Sequence, residues 1–327
     1  MNDDSLKCFA ISSEEEWNDC ALAVFRYQAT HVEVYKRYVE LLGVEIEAVQ
    51  HYSQIPFLPI SLFKTQSVLA NQVAPEITFT SSGTTGMITS QHHVANLALY
   101  QESFMKAFHD FYGPVEDYCI IGLLPAYLER SGSSLVYMVN QLIHKSNNQH
   151  SGFYLNQYKE LQELLAQLKL QNQKTILFGV TFALLDMAEN FSVDFPELIV
   201  METGGMKGRR REMVREELHK VLAKGFGVKK IHSEYGMTEL LSQAYSKGEG
   251  LFKCPPWMKI LVREMNDPKQ FVINGVTGGV NVIDLANYYS CSFIATQDLG
   301  KIHPGNQFEI IGRFDHADLR GCNLMVQ

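Results

Sequence analysis

The chain has 327 residues, enough for one large domain or two ordinary ones with a substantial buried core. An apolar share of 46%, a charged share of 20% and near-neutral mean hydropathy describe a globular protein and exclude a disordered or fibrous one. A net charge of −8 argues against nucleic acid or an anionic membrane surface as the main partner, yet leaves room for a local anion pocket.

The first residues are acidic and polar, with neither a basic n-region nor an apolar h-region, so no signal peptide is expected. No apolar run approaches the roughly 20 residues of a membrane span. Six cysteines, at 8, 20, 119, 254, 291 and 322, form no CxxC pair and no zinc spacing. They read as reduced thiols of a cytoplasmic protein.

In chain order, residues 13–50 read as helical, with Ser12 or Ser13 as cap and Trp17, Ala21, Val24 and Phe25 at helical spacing. Residues 55–68 hold two prolines among large apolar residues and suit a buried, extended connector. Short, dense apolar runs at 117–125, 174–180 and 197–205 predict buried strands. Helices are predicted at 160–171, at 181–191 with Thr181 as cap, and at 209–227, closed by Gly225. Residues 229–239 read as a strand running into a loop. This alternation predicts an α/β protein, a parallel sheet covered by helices, with ligands beyond the carboxyl ends of its strands. Past about residue 250, β-branched residues alternate with Gly and Asn, and NGVTGG (274–279) holds turn residues. That predicts antiparallel strands in a smaller β subdomain. Pro255 and Pro256 mark the change, so 1–252 reads as a helix-rich segment plus α/β core and 253–327 as the β-rich part.

Five segments have the composition of a binding site. TSSGTTG (80–86) gathers hydroxyls and glycines, whose successive N–H groups can cradle an anion. It lacks the lysine and the spacing of a P-loop, and a plain flexible turn explains it too. In METGGMKGRR (201–210), Gly204 and Gly205 permit close approach to a flat ligand, or simply a strand-to-helix turn. In SEYGMTELLSQAY (233–245), Tyr235 offers a ring to stack on, Thr238 a hydroxyl, and Glu239 a hard carboxylate for Mg²⁺. A helix start with Thr238 as cap fits the same letters. Asp298 follows a strand, where a carboxylate can accept from a sugar diol, and Arg313 presents its fork to ribose or phosphate. Taken singly, both are ordinary loop charges.

Their order carries more than any one of them. SSGTTG (81–86), YGMTE (235–239), TQDLG (296–300) and GRFD (312–315) together resemble the adenylate-forming enzymes, which include acyl-CoA ligases, firefly-type luciferases and the adenylation domains of peptide synthetases. IPFLPISLFK (55–64), ETGGMKGRRREMVREEL (202–218) and GRFDHADLRGCNL (312–324) are similar, more narrowly, to the acyl-protein synthetase family of the bacterial luciferase system, with phenylacetate-CoA ligases as neighbours. That family activates a fatty acid as its adenylate, moves the acyl group to a cysteine near the C-terminus, and passes it to a reductase.

The resemblance implies the large N-terminal-type domain of adenylate-forming enzymes and the use of ATP and Mg²⁺. It assigns Ser81, Ser82, Gly83, Thr84, Thr85 and Gly86 to the β- and γ-phosphates, and Gly204 and Gly205 to the adenine site. Tyr235 would lie against the adenine ring, with Gly236 also in the nucleotide site. Thr238 would contact the α-phosphate, Glu239 would hold Mg²⁺, and Asp298 would take the ribose hydroxyls with Arg313 nearby. Cys322 would accept the acyl group, activated by Arg320 or a helix N-terminus. A reductase or acyl-carrier protein is the implied partner.

The pattern also departs from the acyl-CoA ligases. Thr89, Ser90, Gln91 and His92 stand where their phosphate loop has a lysine, and the mobile C-terminal domain with its adenylation lysine is expected to be largely absent. Lys207, His92 and His93 are candidate replacement cations. Residues 122–143 and 177–185 are apolar enough for an acyl tunnel, and equally good as core. A phenylacetate-type CoA ligase and a catalytically degenerate nucleotide-binding scaffold are the competing readings.

Overall fold

A computed structural model of the chain describes residues 3–81, 88–124, 132–204 and 213–314. Two compact units emerge, Met1–Val73 with Pro256–Gln327, and Ala74–Pro255. The second boundary lies close to the expected 252/253 division, but the first 73 residues group with the C-terminal strands and not with the α/β core.

The first unit opens with a helix, Glu14–His31. Ser13 caps it, its Oγ accepting from the Glu16 amide at 3.1 Å. The Glu16 carboxylate in turn accepts from the amide and hydroxyl of Ser12, and these bonds hold its pKa below the usual carboxylate range. The expected helix across 13–50 is interrupted at Val32, which turns extended (φ −98°, ψ 100°) to make an antiparallel bridge with Ala70. A second helix, Glu33–Leu41, follows. The proline-rich connector supplies a two-residue strand, β1 (Leu58–Pro59), and a 3-10 turn, Ile60–Lys64.

The Ala74–Pro255 unit begins with an antiparallel hairpin, β2 (Ile77–Thr80) and β3 (Gln91–Val94), followed by helix Leu97–Tyr112. Then come β4 (Cys119–Leu123), helix Ser134–Ser146, β5 (Gly152–Phe153), helix Tyr158–Leu170, β6 (Thr175–Val180) and helix Thr181–Asn190. The unit closes with β7 (Ile199–Thr203), helix Arg215–Phe226, β8 (His232–Tyr235), β9 (Ala244–Ser246) and β10 (Leu251–Lys253). The sheet runs β5-β4-β6-β7-β8-β9-β10, parallel from β5 to β8 and antiparallel beyond. Every residue of β4 and β6 is buried, as continuous apolar runs covered on both faces require.

Register sorts the side chains. Gly179, Glu202 and Ser233 form one row and share a face. Leu184, from helix Thr181–Asn190, fills the space beside Gly179, so that helix covers this face together with Arg215–Phe226. Gly122, Phe178, Met201 and His232 form a row on the opposite face. Val139 and Tyr112, from helices Ser134–Ser146 and Leu97–Tyr112, pack there. From β4 the chain goes to β5 on one side and returns to β6 on the other. Strand order therefore reverses between β4 and β6, the kind of crevice where open α/β sheets bind ligands.

Two local expectations change. Thr181 is not a cap but the first helical residue, and its hydroxyl is spent on Glu202. Gly225 does not close the last helix. Gly227, left-handed at φ 67°, does so, and Gly225 is small because Ala188 of the neighbouring helix presses against it.

The first unit resumes with four antiparallel strands, β11 (Met258–Arg263), β12 (Gly278–Asp284), β13 (Phe293–His303) and β14 (Gln307–Arg313), as the texture past 250 predicts. β1 adds to β13 in parallel. The N-terminal helix docks on these strands. The Trp17 indole donates to Pro256 O at 3.0 Å, and the Gln28 amide, fully buried, bonds Asn287 O, Tyr288 O and Ser292. Phe25 and Tyr35 meet Phe293 ring to ring.

Candidate nucleotide and acyl site

The Ser/Thr/Gly loop is the tip of the β2–β3 hairpin. Its base is pinned by Ser81 N donating to Ser90 O at 3.0 Å, and Ser90 N donating to Ser81 Oγ at 2.9 Å. The tip itself, with Ser82, Gly83, Thr84, Thr85 and Gly86, lies outside the described residues. One rung below, His92 is fully buried, and its Nδ1–H donates to Thr238 O at 2.8 Å. That bond joins the hairpin to the Tyr235–Glu239 segment across 146 positions of sequence. His92 is thus a buried structural tie between the two segments. His93 Nδ1 is bonded to Thr78 Oγ1 at 2.9 Å, and Lys207 lies outside the described residues.

Tyr235 ends β8 and is buried, with its ring 5.9 Å from that of Phe252. No helix follows. Thr238 and Glu239 form a turn, closed by Leu240 N donating to Met237 O at 3.2 Å, so the helix-cap reading of Thr238 does not hold. Glu239 is buried in that turn. Gly204 leaves β7 with φ +74°, the left-handed backbone its Gly-Gly turn needs, while Gly205 lies outside the described residues.

Two further carboxylates stand at the carboxyl ends of β7 and β8. Glu202 accepts from Thr181 Oγ1 at 2.8 Å and Ser233 Oγ at 3.2 Å, with His219 Nε2 at 3.7 Å. Glu234 Oε2 accepts from Thr203 Oγ1 at 2.5 Å. Burial pushes the Glu234 pKa up to about 7, the Thr203 bond opposes this, and the charge of Glu202 adds to it. Neither glutamate was singled out from sequence. The signal was present: both end buried strands, in ELIVMETGG and KKIHSEYG, where an acidic residue has no reason to be unless paired or used.

In the other unit, Asp298 on β13 stands opposite Arg313 on β14, and Arg313 Nε donates to Asp298 Oδ1 at 3.0 Å. Asp298 is buried while the Arg313 side chain is largely exposed. Beside them, the Arg263 guanidinium is held by Val280 O (2.8 Å), Asn281 Oδ1 (2.6 Å) and Thr296 O (2.6 Å), with the Phe314 ring 5.5 Å away. Sequence reading missed Arg263 as well. Cys322 lies outside the described residues. Burial raises the thiol pKa of Cys20 and Cys119 to about 11 and of Cys291 to about 12, and lifts Cys8 further still.

The sequence profile of the acyl-protein synthetase family, LuxE, matches residues 4–327. The chain belongs to this acyl-protein synthetase family. No curated protein matches it. Among solved structures, this acyl-protein synthetase family member is similar to a 2-hydroxyisobutyryl-CoA ligase bound to 2-HIB-AMP and CoA, at TM-score 0.66 and 11% identity, covering 92% of the chain and 71% of the ligase. It is similar to ATP-bound MatB from Rhodopseudomonas palustris, at TM-score 0.55 and 16% identity, covering 74% of the chain and 49% of MatB. A luciferase-like enzyme from the mealworm Zophobas morio matches at TM-score 0.51 and 13% identity, covering 83% of the chain and 61% of that enzyme. The family member thus spans about half the length of MatB. At these identities the likeness establishes the fold, that of the adenylate-forming enzymes.

Among the described residues, no group of three or more His, Cys, Asp or Glu could hold a metal ion. One buried carboxylate, Glu239, is nevertheless a fitting donor for Mg²⁺, which typically takes one or two protein carboxylates and completes its shell with phosphate and water. Also among the described residues, no helix is long and apolar enough to cross a membrane.

Proposed function

We propose that this protein activates a carboxylic acid with ATP as an acyl-adenylate and transfers the acyl group to Cys322 or to a partner protein. One observation carries the reading. His92 ties the hairpin bearing the Ser/Thr/Gly loop to the turn bearing Thr238 and Glu239, so two segments that the resemblance assigns to phosphate and metal meet within one unit. The assigned roles are those given above for Ser81 through Gly86, Gly204, Gly205, Tyr235, Gly236, Thr238, Asp298 and Arg313.

In the first step a carboxylate oxygen attacks the α-phosphorus, the P–O bond to pyrophosphate breaks, and pyrophosphate leaves. This in-line displacement asks the protein for positioning and charge neutralisation more than for covalent chemistry. Mg²⁺, held by Glu239, would supply positive charge to the phosphates. In the second step a thiolate attacks the acyl carbon and AMP leaves. Burial lifts the thiols of Cys8, Cys20, Cys119 and Cys291 out of nucleophilic range, which supports a different cysteine as acceptor. The family implies a fatty acid as substrate, a reductase or acyl carrier as recipient, and a cytoplasmic setting in which the thiols stay reduced.

Acid-dependent exchange of labelled pyrophosphate into ATP tests the reading. Exchange is expected with at least one acid, reduced about a hundredfold or more in Glu239→Gln. Intact mass after incubation with ATP and mixed acids should show a thioester-linked acyl group, lost in Cys322→Ser. Well-folded protein without exchange for any acid would refute the activity.

A further inference from the structure

One buried side chain joins the carboxyl ends of β7 and β8. Glu202 stands in the row of Gly179 and Ser233, on the face covered by helices Thr181–Asn190 and Arg215–Phe226. Its Oε1 accepts from Thr181 Oγ1 at 2.8 Å and its Oε2 from Ser233 Oγ at 3.2 Å. Thr181 Oγ1 also lies 3.3 Å from Gly204 O, so this hydroxyl stands between the carboxyl group and the turn that leaves β7. Thr181, Glu202 and Ser233 are all buried. The His219 imidazole approaches Oε2 only to 3.7 Å, beyond hydrogen-bond length.

A carboxyl group held by neutral hydroxyls is a costly way to fill a sheet face. An aliphatic side chain of similar size would pack under the helices with no polar atom to satisfy. What the carboxyl group adds is two directed bonds to two different elements. One runs to the first residue of helix Thr181–Asn190 and, through its hydroxyl, to Gly204. The other runs to Ser233, which lies two residues before Tyr235 and on the same face of β8. Gly204 is left-handed at φ 74°, a backbone with wide freedom, so a bond to its carbonyl decides the path of the turn. Gly204 and Tyr235 are the residues assigned to the adenine site and the adenine ring. Glu202 reaches both through one intervening hydroxyl each.

We propose that Glu202, acting through Thr181 and Ser233, is a positioning residue for base recognition. It fixes the spacing between the Gly204 turn and the Tyr235 strand, and so sets the preference for adenine over guanine. The inference rests on the acid-activation reading, which supplies the roles of Gly204 and Tyr235, and it needs no contact between Glu202 and the nucleotide.

The experiment measures kcat/KM for ATP, GTP and 3′-deoxy-ATP by pyrophosphate exchange, in the wild type and in Thr181→Val, Thr181→Ser, Ser233→Ala and Glu202→Gln. Thr181→Val keeps the shape of the side chain and removes the hydroxyl, whereas Thr181→Ser keeps the hydroxyl. The wild type should prefer ATP to GTP. Thr181→Val and Glu202→Gln should lower the ATP/GTP ratio about tenfold, through a higher KM for ATP, because a misplacement of about 1 Å costs up to about a hundredfold. The ratio of ATP to 3′-deoxy-ATP, which reads the ribose and not the base, should stay at its wild-type value. Thr181→Ser should restore the base ratio. A merely structural role would lower Tm and leave both ratios unchanged.

Should Glu202→Gln fail to fold, Thr181→Val and Ser233→Ala are read in its place, since each removes one bond and leaves the carboxyl group. Three results would overturn the proposal and leave acid activation standing: a wild type without base preference, folded variants with the wild-type ATP/GTP ratio, or a joint fall of the base and ribose ratios. If no acid supports exchange, the activity reading fails, and the comparison is made on the Tm shifts caused by ATP and GTP with Mg²⁺. The proposal then stands if ATP raises Tm more than GTP and Thr181→Val removes the difference, and falls if the two shifts are equal or absent.

Discussion

The two units hold their carboxylates in different ways. In the Ala74–Pro255 unit, Glu202 and Glu234 stand at the ends of parallel strands, bonded mainly by the neutral hydroxyls of Thr181, Ser233 and Thr203. In the other unit, Asp298 lies inside an antiparallel ladder, and register alone sets Arg313 opposite it. Across the ladder Glu202 faces Gly179 and Ser233, and Glu234 faces Tyr245, so register sets no guanidinium or ammonium against either. Asp298 instead has the Arg313 guanidinium across the sheet, and its charge is compensated before any ligand arrives. The first arrangement leaves Glu234 with a neutral hydroxyl as donor, and burial raises its pKa to about 7. The second gives a rigid, nearly neutral platform.

The comparison breaks most visibly at Arg263. Its guanidinium serves three acceptors of the β unit, among them the Thr296 carbonyl and the Val280 carbonyl, which also accepts from Thr296 Oγ1. Arg263→Leu strands those acceptors and should cost about 3 kcal/mol of stability, read as a lower urea midpoint. A loss under about 1 kcal/mol would mean that water replaces the guanidinium freely, and the platform is not rigid in the sense argued.

A smaller effect is expected on the other side. Gly225 lets helix Arg215–Phe226 approach helix Thr181–Asn190 until its backbone touches Ala188. Gly225→Val inserts an isopropyl group, three carbon atoms, into that contact and should cost about 2 kcal/mol or more through overpacking. It should also disturb Thr181 and His219, which those helices aim at Glu202. Unfolding of the variant together with exchange activity would separate the two consequences, since a purely global loss of stability leaves kcat unchanged below the transition.

Much of this was legible in the amino-acid sequence, and the exceptions have physical causes. β4, β6 and β7 were readable because a parallel strand covered on both faces must be a short, continuous apolar run. The antiparallel half was readable from β-branched residues punctuated by glycine. Thr181 and Gly225 were misread because each satisfied a local rule, cap or stop, while its actual role was a contact with a residue far along the chain, Glu202 or Ala188. Val32 breaks a helix that local propensity favours, for a bridge to Ala70 that only tertiary structure supplies. The site motifs were visible as an ordered set, whereas Glu202, Glu234, His92 and Arg263 act through partners that no window of sequence contains.

The smallest expected effect is a slope. Glu234 has its pKa raised by burial from 4.5 to about 7, so between those values the native state keeps a proton that the unfolded chain has lost. Unfolding there releases a proton, and this group's stabilising contribution, full below pH 4.5, is lost as pH climbs to 7. His232 does the reverse. Burial, aided by Lys247 and Lys230, pulls its pKa from 6.5 to about 4, so unfolding takes up a proton between those values and stability rises with pH. Across the overlap, pH 4.5 to 6.5, the two slopes oppose and partly cancel. Glu234→Gln removes the falling limb, so Tm relative to wild type should improve as pH rises from 5 to 7. His232→Gln removes the rising limb and should shift the difference the opposite way. Tm profiles of the two variants that run parallel to wild type would show that neither group titrates as its burial requires. Glu234 would then be an ordinary solvated carboxylate, and its contrast with the guanidinium-paired Asp298 would rest on geometry alone.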